Sequence, residues 1–447
     1  MSTVERARTL RSLVRLLVDA SEVVIKEWET EALPPRKQYL PSVPSPELFE
    51  ASRVILGACG MVVDLMQDPV VRLTEVVSSF FTAKALHIAV KARVADILVN
   101  ADPLKGISIT NIGHQTGIQE QKLLQVLRCL CTLHIFSEVK SNHFVNTPTS
   151  RCMADNEPIR AWLLLRGSAA AEQLPTVLFD PVKTYSTSSR EAAFQEAYGT
   201  QLTLWEYIEE QVEQPDGTLQ ARPELSRWIT GMTVAGQIES GALYYDYPWE
   251  ALSSRPIVDV GGGIGGMSLE LALRFPNLRF VVQDREVVIR KAEQVWLQEL
   301  PVALQTERVQ LMAHDFFTKQ PVKSAAAFLM RHILHDWPDE ACVVILRQIR
   351  DAMQADTPLL VVDKAVHSTA GSGLLRAAPS PLPPNYGYAE HYSSFQAICM
   401  LTMFNGVERT PEELAALAAQ AGLRVVKVWE CRGMMCITEL RRDDYVD

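Results

Sequence analysis

The sequence has no Cys-x-x-Cys pair, and none of its eight cysteines (Cys59, Cys129, Cys131, Cys152, Cys342, Cys399, Cys431, Cys436) stands at zinc-ligand spacing from histidines. A structural zinc is therefore not expected, and no metal dependence is indicated. Unbroken apolar runs are short, such as residues 161–165 and 415–419, so no bilayer-spanning segment is expected. The first residues, MSTVERARTLRSLVRLLVDASEVV, interleave charges with apolar residues at helical spacing and lack the apolar block of a secretory signal. Reduced thiols in a cytoplasmic protein are the expectation. Positive charge is not in excess either. Lys and Arg number 43 against 53 Asp and Glu, a net charge of −10, which argues against nucleic acid or an anionic membrane as partner.

With 47% hydrophobic and 21% charged residues the composition is that of a globular chain, and 447 residues suggest two or three domains. Residues 3–32 carry a helical pattern and run into a proline-rich linker, Leu33-Pro34-Pro35-Arg36 through Pro44-Ser45-Pro46, closing a first segment at 1–46. Residues 47–154 begin with apolar helical sequence. They continue as short helix, turn at Gly113 and Gly117, longer helix and strand pair, a winged-helix pattern. Its second helix offers only Lys122 and Arg128 as cations, so packing or dimerisation is favoured over DNA binding. Residues 155–250 read as a helical connecting and substrate-lining region with scattered aromatics. From residue 251 to 447 apolar strands alternate with helices. The fold class is α/β, a C-terminal doubly wound Rossmann-like sheet behind an N-terminal helical and winged-helix domain. A Pro-, Ser- and Gly-rich insert at 367–392 reads as a loop near the active-site mouth.

Four motifs carry chemistry. Val258-Asp259-Val260-Gly261-Gly262-Gly263-Ile264-Gly265 ends the first strand in a glycine turn that lets a ligand approach the backbone. Asp284 closes the second strand, where a carboxylate accepts ribose hydroxyls. His314-Asp315-Phe316-Phe317 follows the third strand, with one acceptor for an adenine amino group and two rings to wall it. The fourth, Arg331-His332-Ile333-Leu334-His335-Asp336-Trp337-Pro338, puts an imidazole at the carboxyl end of a central strand. There it can take a proton near neutral pH. Asp363 at the next strand end and Glu408 in Glu408-Arg409-Thr410 are carboxylates placed to orient it.

In this order the motifs resemble those of the plant caffeate-type and fungal secondary-metabolite O-methyltransferases, class I S-adenosylmethionine enzymes with an N-terminal dimerisation domain. The resemblance runs from about residue 86 onward. It implies S-adenosyl-L-methionine as cofactor. Gly261, Gly262, Gly263 and Gly265 would hold its methionine part, Asp284 its ribose, and Asp315 with Phe316 its adenine. Arg331 matches a basic cofactor contact and Trp337 an aromatic that packs on the adenine. His335 matches the general base, with Asp363 (Glu in the plant members) and Glu408 as orienting carboxylates. Met400, Met403, Phe404 and Asn405, just before the Glu-Arg-Thr motif, are expected to line the pocket of a small hydrophobic acceptor bearing a hydroxyl. A homodimer is expected. Two other readings stand beside methyl transfer. One is a pericyclase on the same fold, in which the sulfonium acts only electrostatically. The other, a catalytically dead DNA-binding dimer, is disfavoured by the intact histidine motif.

Overall fold

The computed structural model describes residues 2–30, 43–165, 169–213 and 217–444, so most of the proline-rich linker lies outside the described residues. Helix Thr3–Thr30 packs along helix Pro46–Met66, burying Leu13, Ala20 and Val24 against Ala51, Val54 and Ala58. Asp68 then caps helix Pro69–Lys91, accepting from the amides of Val70 and Val71 at 2.8 and 3.3 Å. By length and composition this helix is apolar enough to cross a membrane, although its unbroken apolar runs are short. Its second half is buried in a core through Ala85, Ala89 and Val90, whereas Val70, Leu73, Val76, Val77, Phe80 and Phe81 are exposed.

The next unit is built from helices Ile109–Thr116 and Glu120–Cys131, joined through Gly117. With them lies a sheet of β1 (Ile107–Ser108), β2 (Phe136–Lys140) and β3 (His143–Asn146), ordered β1-β3-β2. The second helix buries Leu123, Leu127 and Leu130, and its Arg128 is held by Glu138 at 2.8 Å. Residues 155–250 are mostly helical as expected, but a hairpin, β4 (Gln211–Glu213) with β5 (Leu219–Ala221), interrupts them.

The seven-stranded sheet comprises β6 (Pro256–Val260), β7 (Arg279–Asp284), β8 (Val309–Ala313), β9 (Ala327–Arg331), β10 (Leu359–Asp363), β11 (Leu423–Glu430) and β12 (Cys436–Arg442). Its order is β11-β12-β10-β9-β6-β7-β8. β6 to β10 are parallel to their neighbours, and β12 runs antiparallel between β10 and β11. Both faces are covered, so the strands read as continuous apolar runs with a hidden period of two. Ile257, Phe280, Val282, Leu329, Leu360 and Val362 face one core; Val258, Val260, Val281, Phe328, Met330 and Val361 face the other. Each such side chain contributes roughly 1.5–3 kcal/mol of burial. The order reverses between β6 and β9, which opens a crevice at the strands' carboxyl ends.

β9 ends at Arg331, because His332 adopts φ 55° and breaks the pleat. The insert at 367–392 is largely loop, as expected. The insert is a strap that packs on helix Pro46–Met66. Tyr386 is fully buried, donates its hydroxyl to Glu50 at 2.6 Å and lies under the Arg53 guanidinium.

Candidate active site

The four motifs singled out in the sequence and Asp363 lie at the carboxyl ends of β6, β7, β8, β9 and β10, along the crevice, and Glu408 lies between two helices. After β6 the chain turns through Gly261 at φ 69°. A side chain there would place its Cβ 2.5 Å from Ile333 and 3.5 Å from Phe316, so only glycine leaves room for the turn. Gly263 faces open space, and its amide donates to Asp284 Oδ2 at 2.9 Å. The Arg285 amide donates to Asp284 Oδ1 at 2.7 Å. Burial raises the Asp284 pKa, opposed by these two donors. Phe316, Phe317 and Trp337 form one aromatic group, with Trp337 edge-on to Phe317 at 4.9 Å and to Phe316 at 6.0 Å. Asp315 is exposed and spends Oδ1 on the Phe317 amide at 3.0 Å. Arg331 donates to the Gly236 carbonyl at 3.3 Å, while its buried Nε has no partner among the described residues.

His335 sits in the short 3-10 turn Leu334–Asp336, buried, with Nδ1 3.0 Å from Glu408 Oε1 and Nε2 3.6 Å from Asp336 Oδ1. The segment around Glu408 is stitched to that turn. Val407 N donates to the His335 carbonyl at 2.9 Å, and Arg409 donates to the carbonyls of Leu334 (2.7 Å) and Trp337 (2.9 Å). A Cβ at Gly406 would lie 2.5 Å from that same His335 carbonyl, so the approach requires glycine. Arg409 and Gly406 are positioning residues that no sequence signal isolated. Burial by itself lowers an imidazole's pKa. Here the Glu408 hydrogen bond and the charges of Asp363, Asp336 and Glu408 outweigh it and push His335 up to about 9. Glu408 stays below the ordinary carboxylate range: burial would raise it, but the His335 hydrogen bond and charge prevail.

The Asp363 carboxylate accepts from the His332 backbone amide at 3.0 Å and lies within 4.8 Å of a His335 ring nitrogen. Burial raises its pKa to about 7. Beside it lies a second group that the sequence did not assemble. Glu239, from helix Pro223–Ser240, contacts His332 Nε2 at 3.3 Å and Lys364 Nζ at 2.8 Å. Met400 and Phe404 are buried, and with half-buried Met403 they pack against Phe194, Leu204 and Ile208. Asn405 ties down the preceding region by donating to the Ser188 carbonyl at 2.9 Å.

A family model described as an O-methyltransferase domain matches residues 177–424. The chain belongs to that family. O-methyltransferase gedA of Aspergillus terreus is 38% identical to it, over 97% of this chain and 96% of its own length. Among solved structures, the O-methyltransferase NcsB1 from neocarzinostatin biosynthesis, in complex with S-adenosylmethionine and 2-hydroxy-5-methyl naphthoic acid, is similar. It shows a TM-score of 0.58 and 24% identity, covering 81% of this chain and 96% of NcsB1. A pericyclic reaction enzyme shares the fold at TM-score 0.65 and 18% identity, covering 88% of this chain and 94% of its own. The family is enzymatic, and its cofactor is S-adenosylmethionine. The residues fit that molecule. Gly263 would leave open space for the methionine part, Asp284 would offer a carboxylate to the ribose, the Phe316, Phe317 and Trp337 rings would wall the adenine, and Arg331 Nε is a donor without a partner among the described residues.

Proposed function

We propose that this O-methyltransferase of secondary metabolism methylates a hydroxyl of a small hydrophobic acceptor, with His335 as general base. The observation that carries the reading is the buried pair of His335 Nδ1 and Glu408 Oε1 at 3.0 Å, held at the mouth of the strand-end crevice. Bound S-adenosylmethionine supplies an electrophilic methyl group. The chain's own residues handle the proton. With Nδ1–H donating to Glu408, Nε2 carries the lone pair and accepts the hydroxyl proton as the oxygen becomes nucleophilic. Basicity decides whether that transfer is feasible. A phenol titrates near 10 and an ordinary imidazole near 6.5, so the transfer would be uphill by about 3.5 pH units. Raised to about 9, His335 comes within about one unit of a phenol, and the neutral form that carries the free Nε2 lone pair grows as pH rises toward that value. Glu408 and Asp336 then stabilise the imidazolium, and burial keeps water from competing for it.

The same proposal assigns Gly261, Gly262, Gly263, Gly265, Asp284, Asp315, Phe316, Arg331 and Trp337 to the cofactor. It makes the exposed apolar face of helix Pro69–Lys91 a contact with a second copy of the chain. The deciding experiment is stoichiometric: demethylated cofactor formed per product molecule, measured by mass spectrometry. One per product, abolished in His335→Ala, is expected. Product formed with undiminished cofactor would overturn methyl transfer in favour of a pericyclic reaction.

A further inference from the structure

His332 is not needed as a base, yet the fold goes to some length to place it. Its backbone is left-handed at φ 55°, a conformation that glycine or asparagine takes with less strain. Two acceptors hold its amide there, Asp363 Oδ1 at 3.0 Å and the Val362 carbonyl at 3.3 Å. The ring is anchored at Nε2 by Glu239, 3.3 Å away and 5% exposed, whose charge is balanced by Lys364, 2% exposed. The ring itself stays 25% exposed and stacks beside His335, centroids 5.1 Å apart. One nitrogen of each ring and a carboxylate oxygen of Asp363 all lie within 4.8 Å of one another. Two oxygens ortho or peri on an aromatic system stand roughly 2.5–2.8 Å apart, a spacing that lets each reach one of two such nitrogens with a hydrogen bond of about 2.8 Å.

We propose that His332 is a specificity-determining residue that reads a second oxygen on the acceptor, ortho or peri to the hydroxyl that His335 deprotonates. This rests on the reading of His335 as base. The substrate class is then an aromatic bearing a neighbouring oxygen pair, rather than an isolated phenol. Burial, together with the nearby Arg331 charge, keeps His332 neutral against the pull of Glu239. With Nε2–H given to Glu239, the neutral ring's Nδ1 carries a lone pair that accepts from a hydroxyl, and no cation is added beside the sulfonium. Glu239 fixes the ring's orientation through Nε2 and leaves Nδ1, 3.9 Å from Asp363, for the acceptor.

The test is binding, which does not depend on turnover. The dissociation constants of 1,8-dihydroxynaphthalene and 1-naphthol are measured by calorimetry on full-length protein saturated with S-adenosylhomocysteine. Wild type is expected to prefer the diol by about tenfold, the worth of one net hydrogen bond. His332→Ala brings the two affinities within about threefold. His332→Asn, which tolerates the left-handed backbone and remains a neutral hydrogen-bonding group, keeps part of the preference. Folding of each variant is checked by the rise in melting temperature on cofactor binding. Equal wild-type affinity for the two probes, no binding of either, or a preference that survives His332→Ala overturns the proposal. Diol preference in a protein that transfers no methyl group would instead overturn methyl transfer and leave this inference standing.

Discussion

Replacing Glu408 by glutamine keeps an acceptor near His335 Nδ1 but removes the closest negative charge, 3.0 Å away. Two charges about 3 Å apart at an effective dielectric of about 20 interact by roughly 5.5 kcal/mol. The change is smaller than this, since the glutamine oxygen still accepts from Nδ1, and Asp363 and Asp336, which also raise the ring's pKa, remain in place. A fall of about 1–3 pH units from the wild-type value is the expectation. The assay is a carbon-13 NMR titration of histidine-labelled, cofactor-free protein. Nine histidines make assignment by a single His335→Gln spectrum practicable. Wild type should titrate near 9, well above the ordinary 6.5, and Glu408→Gln clearly lower. Cationic S-adenosylmethionine should depress the wild-type midpoint more than neutral S-adenosylhomocysteine. A wild-type midpoint near 6.5, or one that Glu408→Gln leaves in place, refutes the account of a basic imidazole sustained by this carboxylate.

Other outcomes follow from the same geometry. Since the folded His335 pKa exceeds the unfolded one, the stabilisation it brings is complete below about pH 6.5 and disappears as pH rises through about 9. Denaturant melts between pH 7 and 10 should therefore fall more steeply for wild type than for Glu408→Gln, and equal slopes would contradict this. Asp284→Ala should weaken S-adenosylhomocysteine binding by about 1.5–3 kcal/mol, read by calorimetry; unchanged affinity would remove Asp284 from the ribose site. Gly261→Ala, forced to φ 69° with its Cβ 2.5 Å from Ile333, should cost about 1–3 kcal/mol of stability and loosen cofactor binding. A melting curve and cofactor affinity like wild type would show that the turn tolerates a side chain. Light scattering should find a dimer, and charge placed on the exposed face as Val77→Glu with Phe81→Glu should dissociate it. A monomeric wild type would refute that interface.

The local sequence determined the parts whose signal is local. Apolar runs between helices of regular length announced a parallel sheet, and the glycine turn, Asp284 and the His335 motif fell at strand ends because strand-to-helix turns carry their own residue types. Resemblance to a family added roles to those positions, including Glu408, which does meet His335. Contacts between distant segments were another matter. Glu239 stands 125 residues from its partner Lys364, on a helix whose sequence marks no chemistry. Asp363 was read as an orienting carboxylate for His335, and its hydrogen bond from the His332 amide appears only in the fold. Met400 and Phe404 were expected to line the acceptor pocket, and their packing with Phe194, Leu204 and Ile208 is legible only in the fold. Likewise the composition of the insert suggested a loop, while the fit of Tyr386 beneath Arg53 made it a strap. Periodicity and turn chemistry are written along the chain. The charge balance that makes His335 basic exists only where β9, β10 and the Glu408 segment converge.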